Sequence, residues 1–185
     1  MNTHRYTPQL IVENKDYLCF NIPLYQRLFA WGESQVYGLL CDMKEHFSKT
    51  GKEEPYYLGM LSCIARGNVY DLIDGQQRFT VMTLLALVLR KYDERWNKFL
   101  DEGKRLHFVA RSKDREYLLA SIRNVVGQVD EPNKKMQSAI NLAERFVEKD
   151  FQSDEDRLFF ATNVFERLSF FFSVLPNEYL NDPMS

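Results

Sequence analysis

Asp74-Gly75-Gln76-Gln77-Arg78-Phe79-Thr80 lies between two apolar runs of opposite character. Upstream, Val69-Tyr70-Asp71-Leu72-Ile73 is short, β-branched and aromatic, and it reads as a strand. Downstream, Val81-Met82-Thr83-Leu84-Leu85-Ala86-Leu87-Val88-Leu89 reads as a buried helix. A strand, a glycine turn and a helix N-terminus in succession place the chain among α/β proteins. They also make an anion site, because the first helical N–H groups lack intrahelical partners and the helix dipole adds partial positive charge. The same seven residues carry a carboxylate, two amides, a guanidinium and a hydroxyl. Folding alone does not call for that density of polar groups between two apolar elements.

Outward from this unit, Tyr17 to Ile22 reads as a strand stopped by Pro23, and Tyr25 to Trp31 as an aromatic-rich loop. Gly32-Glu33-Ser34 opens a helix. Val36, Leu39, Leu40, Met43 and Phe47 share one of its faces, and Gly51 lies just past its end. Tyr56 to Ala65 and Val69 to Ile73 flank the turn Arg66-Gly67-Asn68, which predicts a hairpin. The helix opening at Gln76 is expected to run to about Phe99, followed by a short strand from Arg105 to Ala110. Helices are then expected over 114–123, 136–147 and 154–165. Leu168 to Leu175 is β-rich and halted by Pro176, so it reads as a strand. Residues 1–16 read as a loose arm or a short initial helix. The expected fold class is α/β (α+β), divided into an α/β core over 1–110 and a helical extension over 111–185. Gly127 to Asn133 is the expected internal boundary. Turn-forming residues from Asn177 onward, with no closing element, suggest a piece of a longer protein.

Of 185 residues, 45% are hydrophobic and 14% aromatic, enough for a real core. The formal net charge of −2 and a pI near 6.0 exclude coating of nucleic acid by bulk charge, though not a local basic groove. Cys19, Cys41 and Cys63 are dispersed, as are His4, His46 and His107, so neither a disulfide framework nor a zinc site is signalled. The N-terminus lacks a signal-peptide layout, and the longest apolar run is too short to span a bilayer. The expectation is a cytoplasmic protein with no membrane partner.

Arg78 near the first turn of an apolar helix suits bidentate recognition of phosphate. A cation there is unfavourable unless an anion offsets it, and Asp74 as a capping partner is the bland explanation. Gln76, Gln77 and Thr80 add groups that position a phosphate, a sugar or a water. Ligand binding and capping stand about even on chemistry alone. A second constellation, Tyr25-Gln26-Arg27-Leu28-Phe29-Ala30-Trp31, repeats the Gln-Arg pair. Its rings, taken alone, read as core anchors, while Gln26 with Arg27 points to function. Neither a Walker motif nor a dinucleotide-binding glycine fingerprint is present.

Ile22-Pro23-Leu24-Tyr25-Gln26-Arg27-Leu28-Phe29-Ala30-Trp31, then Tyr57-Leu58-Gly59, then Ile73-Asp74-Gly75-Gln76-Gln77-Arg78-Phe79-Thr80 resemble the GmrSD-type N-terminal domain family. Order and spacing agree over roughly residues 17–95, with Phe79 standing where Leu is usual. The resemblance implies a ParB/sulfiredoxin-like mixed sheet core and nucleotide hydrolysis at the Asp74–Arg78 turn. It implies NTP with Mg²⁺ as ligands and a role in bacterial defence against phage carrying modified DNA. Contact with DNA would come through an intact protein whose C-terminal nuclease domain is missing here. Asp74, Gln77 and Arg78 are then the catalytic candidates, with Asp74 also the metal candidate and Gln77 positioning water. Tyr25, Gln26, Arg27, Gly75, Gln76 and Thr80 are the nucleotide or phosphate contacts. Relatives continue into an Asn-x-Arg-Gly element and a downstream Lys, which this chain does not reach. A non-catalytic DNA-binding or sensor domain, or a purely regulatory domain of a nuclease, is the alternative.

Overall fold

The computed structural model describes residues 3–48, 54–109, 112–125, 127, 129 and 133–176. In chain order the elements are β1 (Thr3–Tyr6), α1 (Pro8–Glu13), β2 (Cys19–Ile22), α2 (Glu33–Ser48), β3 (Tyr56–Arg66) and β4 (Val69–Asp74). They continue with α3 (Gln76–Leu89), α4 (Arg95–Leu100), β5 (Leu106–Phe108), α5 (Ser112–Arg123), α6 (Lys134–Asp150), α7 (Asp154–Arg167) and β6 (Leu168–Leu175). The strands form one mixed sheet in the order β1-β6-β3-β4-β2-β5. The α/β class expected from sequence is the one observed.

The predicted hairpin is present. Its two strands are antiparallel, and Gly67 takes a φ of 64° in the turn, which glycine adopts without steric cost. β4 and β5 both run parallel to β2, with Asn21 opposite Asp71 and Ile22 opposite Phe108. The carboxyl ends of three strands therefore share one edge. β6 lies between β1 and β3, antiparallel to the first and parallel to the second.

Alternation sorts each strand into two faces. Phe20, Leu72, Phe170 and Phe172 point to the core. Phe79 meets them there, with ring centroids 4.4 Å from Phe20 and 6.1 Å from Phe170. α3 is the central helix, buried at every residue but Arg78. Val81, Leu84 and Leu85 on its far side pack with Val36 and Leu40 of α2 and with Ala139 and Ala143 of α6. An all-round apolar helix is stable only where it is enclosed on all sides, and this layering encloses it.

Three expectations change. The helix opening at Gln76 does not run to Phe99 but ends at Leu89, and a second helix starts at Arg95. The Asp93 carboxylate accepts from the Arg95 backbone N–H at 3.0 Å, offering the chain an alternative to helical bonding. The turn swings Trp96 against α7, where its ring nitrogen donates to the Ala161 carbonyl at 3.2 Å. The initial arm includes a strand, β1, as well as the short helix. The expected division near residue 110 does not separate two cores, because β6 is an interior strand of the sheet and α6 packs on α2 and α3. Gly51, Ala110, most of the Gly127–Asn133 boundary and the turn-rich segment after Pro176 lie outside the described residues.

Candidate functional site

The two Gln-Arg pairs sit at the carboxyl edge of neighbouring parallel strands, one after β2 and one after β4. Each glutamine reaches the other segment's backbone. Gln26 Nε2 donates to the Ile73 carbonyl at 2.7 Å, at the end of β4. Gln77 Nε2 donates to the Leu28 carbonyl at 2.8 Å, and Gln77 Oε1 accepts from the Ala30 N–H at 2.7 Å. The two segments, 47 to 49 residues apart in sequence, are thus cross-clamped. Gln77 is only 6% exposed, and both ends of its amide are engaged with backbone.

Arg78 is the one residue of α3 that is not buried. One guanidinium nitrogen donates to the Met60 carbonyl at 2.8 Å and to Asp74 Oδ2 at 3.1 Å. The Asp74 side chain is 69% exposed, and its other oxygen has no partner among the described residues. Asp74 thus offsets the cation at the helix N-terminus, as its placement suggested. Two glycines shape this pocket. Gly75 caps α3 with φ 87°, and a Cβ there would stand 2.8 Å from the Met60 carbonyl oxygen. Gly59, at a bulge in β3, has φ 125°, and a Cβ there would stand 2.7 Å from Arg78 Nη1. The Tyr57-Leu58-Gly59 signal is therefore the space that the Arg78 head occupies.

Arg27 is exposed and has no partner among the described residues. Tyr25 is also exposed; desolvation first, and then the Asp71 carboxylate, push its phenol above the ordinary value. Asp71 lies on the sheet face opposite the core. It accepts from Asn21 Nδ2 at 3.1 Å and from Arg66 Nε, joining β2, β4 and β3. Sequence reading passed over this cluster, and only the cross-strand register brings the three residues together. Gln76 is 7% exposed and Thr80 2%, and neither side chain has a hydrogen-bond partner among the described residues.

Four helices begin near this edge. α2, α3 and α5 each follow one of the parallel strands β2, β4 and β5. α6 joins them: its N-cap residue Asn133 donates to Asp114 in the first turn of α5 at 2.7 Å. Ser138 of α6 donates to Glu33 of α2 at 2.7 Å. Asp114 Oδ2 is buried and unpartnered among the described residues, a feature no sequence signal marked. The α3 N-terminus, which has no side-chain cap, supplies unpaired N–H groups and a positive dipole end to this region.

The family model described as "GmrSD restriction endonuclease, N-terminal domain" matches residues 9–182. The chain belongs to this family. The match spans both halves of the chain, beyond the stretch over which the motifs alone are legible. No curated protein matches the chain. Among the described residues, no helix of this GmrSD-type domain is long and apolar enough to cross a membrane. Nor do three or more His, Cys, Asp or Glu side chains gather among them where they could hold a metal ion.

Proposed function

We propose that the carboxyl edge of β4, β2 and β5 is a nucleoside triphosphate site. The domain would then be the nucleotide-hydrolysing module of a bacterial anti-phage restriction-type system that targets modified DNA. The reciprocal Gln26 and Gln77 clamp carries this reading, because it fixes Arg27 and Arg78 at one edge where helix N-termini converge. Arg27, Arg78 and the first N–H groups of α3 take the phosphate oxygens, and Gly75 lets backbone approach them. Tyr25 and Thr80 are further contacts. Mg²⁺ is commonly held by one or two carboxylates together with substrate phosphates, and exposed Asp74 with one free oxygen fits that minimum. The ion would neutralise phosphate charge. The chain's own share is positioning and charge stabilisation. A ParB/sulfiredoxin-like ancestry of the sheet belongs to the same proposal, as does contact with DNA through a nuclease partner domain.

Thermal melts with each NTP, with and without Mg²⁺, test the reading. A ligand at a hundred times its Kd stabilises by about 2.7 kcal/mol. Arg78→Ala should remove the shift while leaving the far-UV spectrum unchanged. No shift with any NTP overturns the reading. The Arg78–Asp74 pair favours a second one, since one guanidinium nitrogen is already engaged by Asp74 and Met60 without a ligand: a sensor or regulatory domain without turnover. DNA binding that falls steeply with salt and ignores nucleotide decides for it.

A further inference from the structure

We propose that Gln76, and not Gln77, is the amide that orients the attacking water, and that Gln77 and Gln26 are positioning residues. This rests on the nucleotide-hydrolysing reading above. Three glutamines stand at the edge, and hydrogen bonding separates them. Gln26 holds the end of β4, and Gln77 holds Leu28 and Ala30 with both ends of its amide. Freeing Gln77 for a water would break both of these bonds and leave its own buried amide to find new partners. Gln76 bears no such load. It is the first residue of α3, beside the unpaired N–H groups, and it is 7% exposed with its amide unpartnered among the described residues.

Its amide atoms are not among the fully enclosed orphans, so the small accessible part of Gln76 includes its polar head. Thr80 follows one turn later on the same helical face. Its hydroxyl is also unpartnered, whereas Thr83 folds its hydroxyl back onto the Phe79 carbonyl at 2.9 Å. Two neighbouring, nearly buried polar groups left unpaired are a cost to folding unless a ligand meets them.

Charge at the phosphates is already supplied by Arg27, Arg78 and the helix N-terminus. What remains to be supplied is a neutral group with both a donor and an acceptor. Gln76 Oε1 accepts a hydrogen from water, and Nε2 donates to an oxygen of the terminal phosphate. The water oxygen bonds to the terminal phosphorus as the bond from that phosphorus to the bridging oxygen breaks. The nucleoside diphosphate leaves with that electron pair, and the water's proton passes to a phosphate oxygen, giving inorganic phosphate. Gln76 moves no proton itself.

The experiment compares wild type, Gln76→Ala and Gln77→Ala in melting temperature, in thermal shift with a non-hydrolysable NTP analogue, and in phosphate release. Gln76→Ala is expected to keep the melting temperature and most of the analogue shift while losing turnover by about 10²–10³-fold. Gln77→Ala is expected to lower the melting temperature and weaken the shift. Gln76→Ala turning over near the wild-type rate, or losing the analogue shift, overturns the assignment. So does a wild type that binds the analogue without turnover, which leaves the binding site standing. A wild type that shows no analogue shift overturns the nucleotide reading as a whole.

Discussion

At the scale of single residues, the site is shaped as much by missing side chains as by present ones. Gly59 at φ 125° leaves the volume that the Arg78 head fills. Gly59→Ala places a methyl 2.7 Å from Nη1, and the guanidinium must leave the Met60 carbonyl and Asp74. Backbone strain there should cost about 1–3 kcal/mol by urea unfolding, and any nucleotide-induced thermal shift should fall with it. Gly75→Ala should cost more. Its Cβ meets backbone, the Met60 carbonyl oxygen at 2.8 Å, as well as the Leu61 side chain, whereas the atoms met at Gly59 belong to the movable end of Arg78. Equal cost for the two variants would refute this ordering. Gln77→Leu removes the bonds to the Ala30 N–H and the Leu28 carbonyl, for an expected loss of about 1–3 kcal/mol. The motif was legible in the sequence as a dense set of polar residues between a strand and a helix. The distinct bonding of Gln26 and Gln77 was not, because their partners are backbone atoms nearly fifty positions away and no side-chain pattern encodes them.

At the scale of elements, strands bounded by Pro and Gly were legible, and so were helices with one apolar face. The break between α3 and α4 was not, because helical periodicity persists across it. Asp93 decides the break. It is 6% exposed, accepts from the Arg95 backbone and receives the Arg95 guanidinium at 2.7 Å, while Arg95 also reaches Glu166 of α7 at 2.7 Å. Burial alone would raise the Asp93 pKa, but the hydrogen bonds and charge of Arg95 outweigh it and hold the carboxyl below its usual range. A depressed folded pKa contributes stability that is fully present above the unfolded value of about 3.9 and lost as pH falls through the folded one. Asp93→Asn should therefore flatten stability below about pH 4 in urea titrations. Arg95→Ala should cost about 3–5 kcal/mol near neutral pH, since it leaves a buried charge unpaired. It should also reverse the local sign, because unopposed burial raises the Asp93 pKa and acid then relieves the cost. An Arg95→Ala protein with wild-type acid sensitivity would show that Asp93 is not the responsible group.

At the scale of the whole molecule, the least legible feature was the closing of the sheet. β1 is short and carries His4 and Arg5, so it shows no hydrophobic alternation and becomes a strand only by pairing with β6, as in Tyr6 opposite Phe170. β6 was visible as a strand, but its place between β1 and β3 depends on contacts across more than a hundred residues, where local sequence is silent. That insertion bears on the division expected at residue 110. A fragment of residues 1–110 would lose β6 and α6 together. Phe79 would lose its contact with Phe170, and Phe20 its contact with Phe172. β1 would lose its strand neighbour β6, and Val81, Leu84 and Leu85 the Ala139–Ala143 face of α6. Burying a large apolar side chain contributes about 1.5–3 kcal/mol, and a whole domain holds only about 5–15, so losing this many contacts exceeds the margin. The 1–110 fragment should therefore show no cooperative thermal transition and little amide protection in hydrogen exchange. Mixed with a 111–185 fragment, it should regain both. A 1–110 fragment that melts cooperatively by itself would establish the two-part division and make β6 an addition to a core already complete.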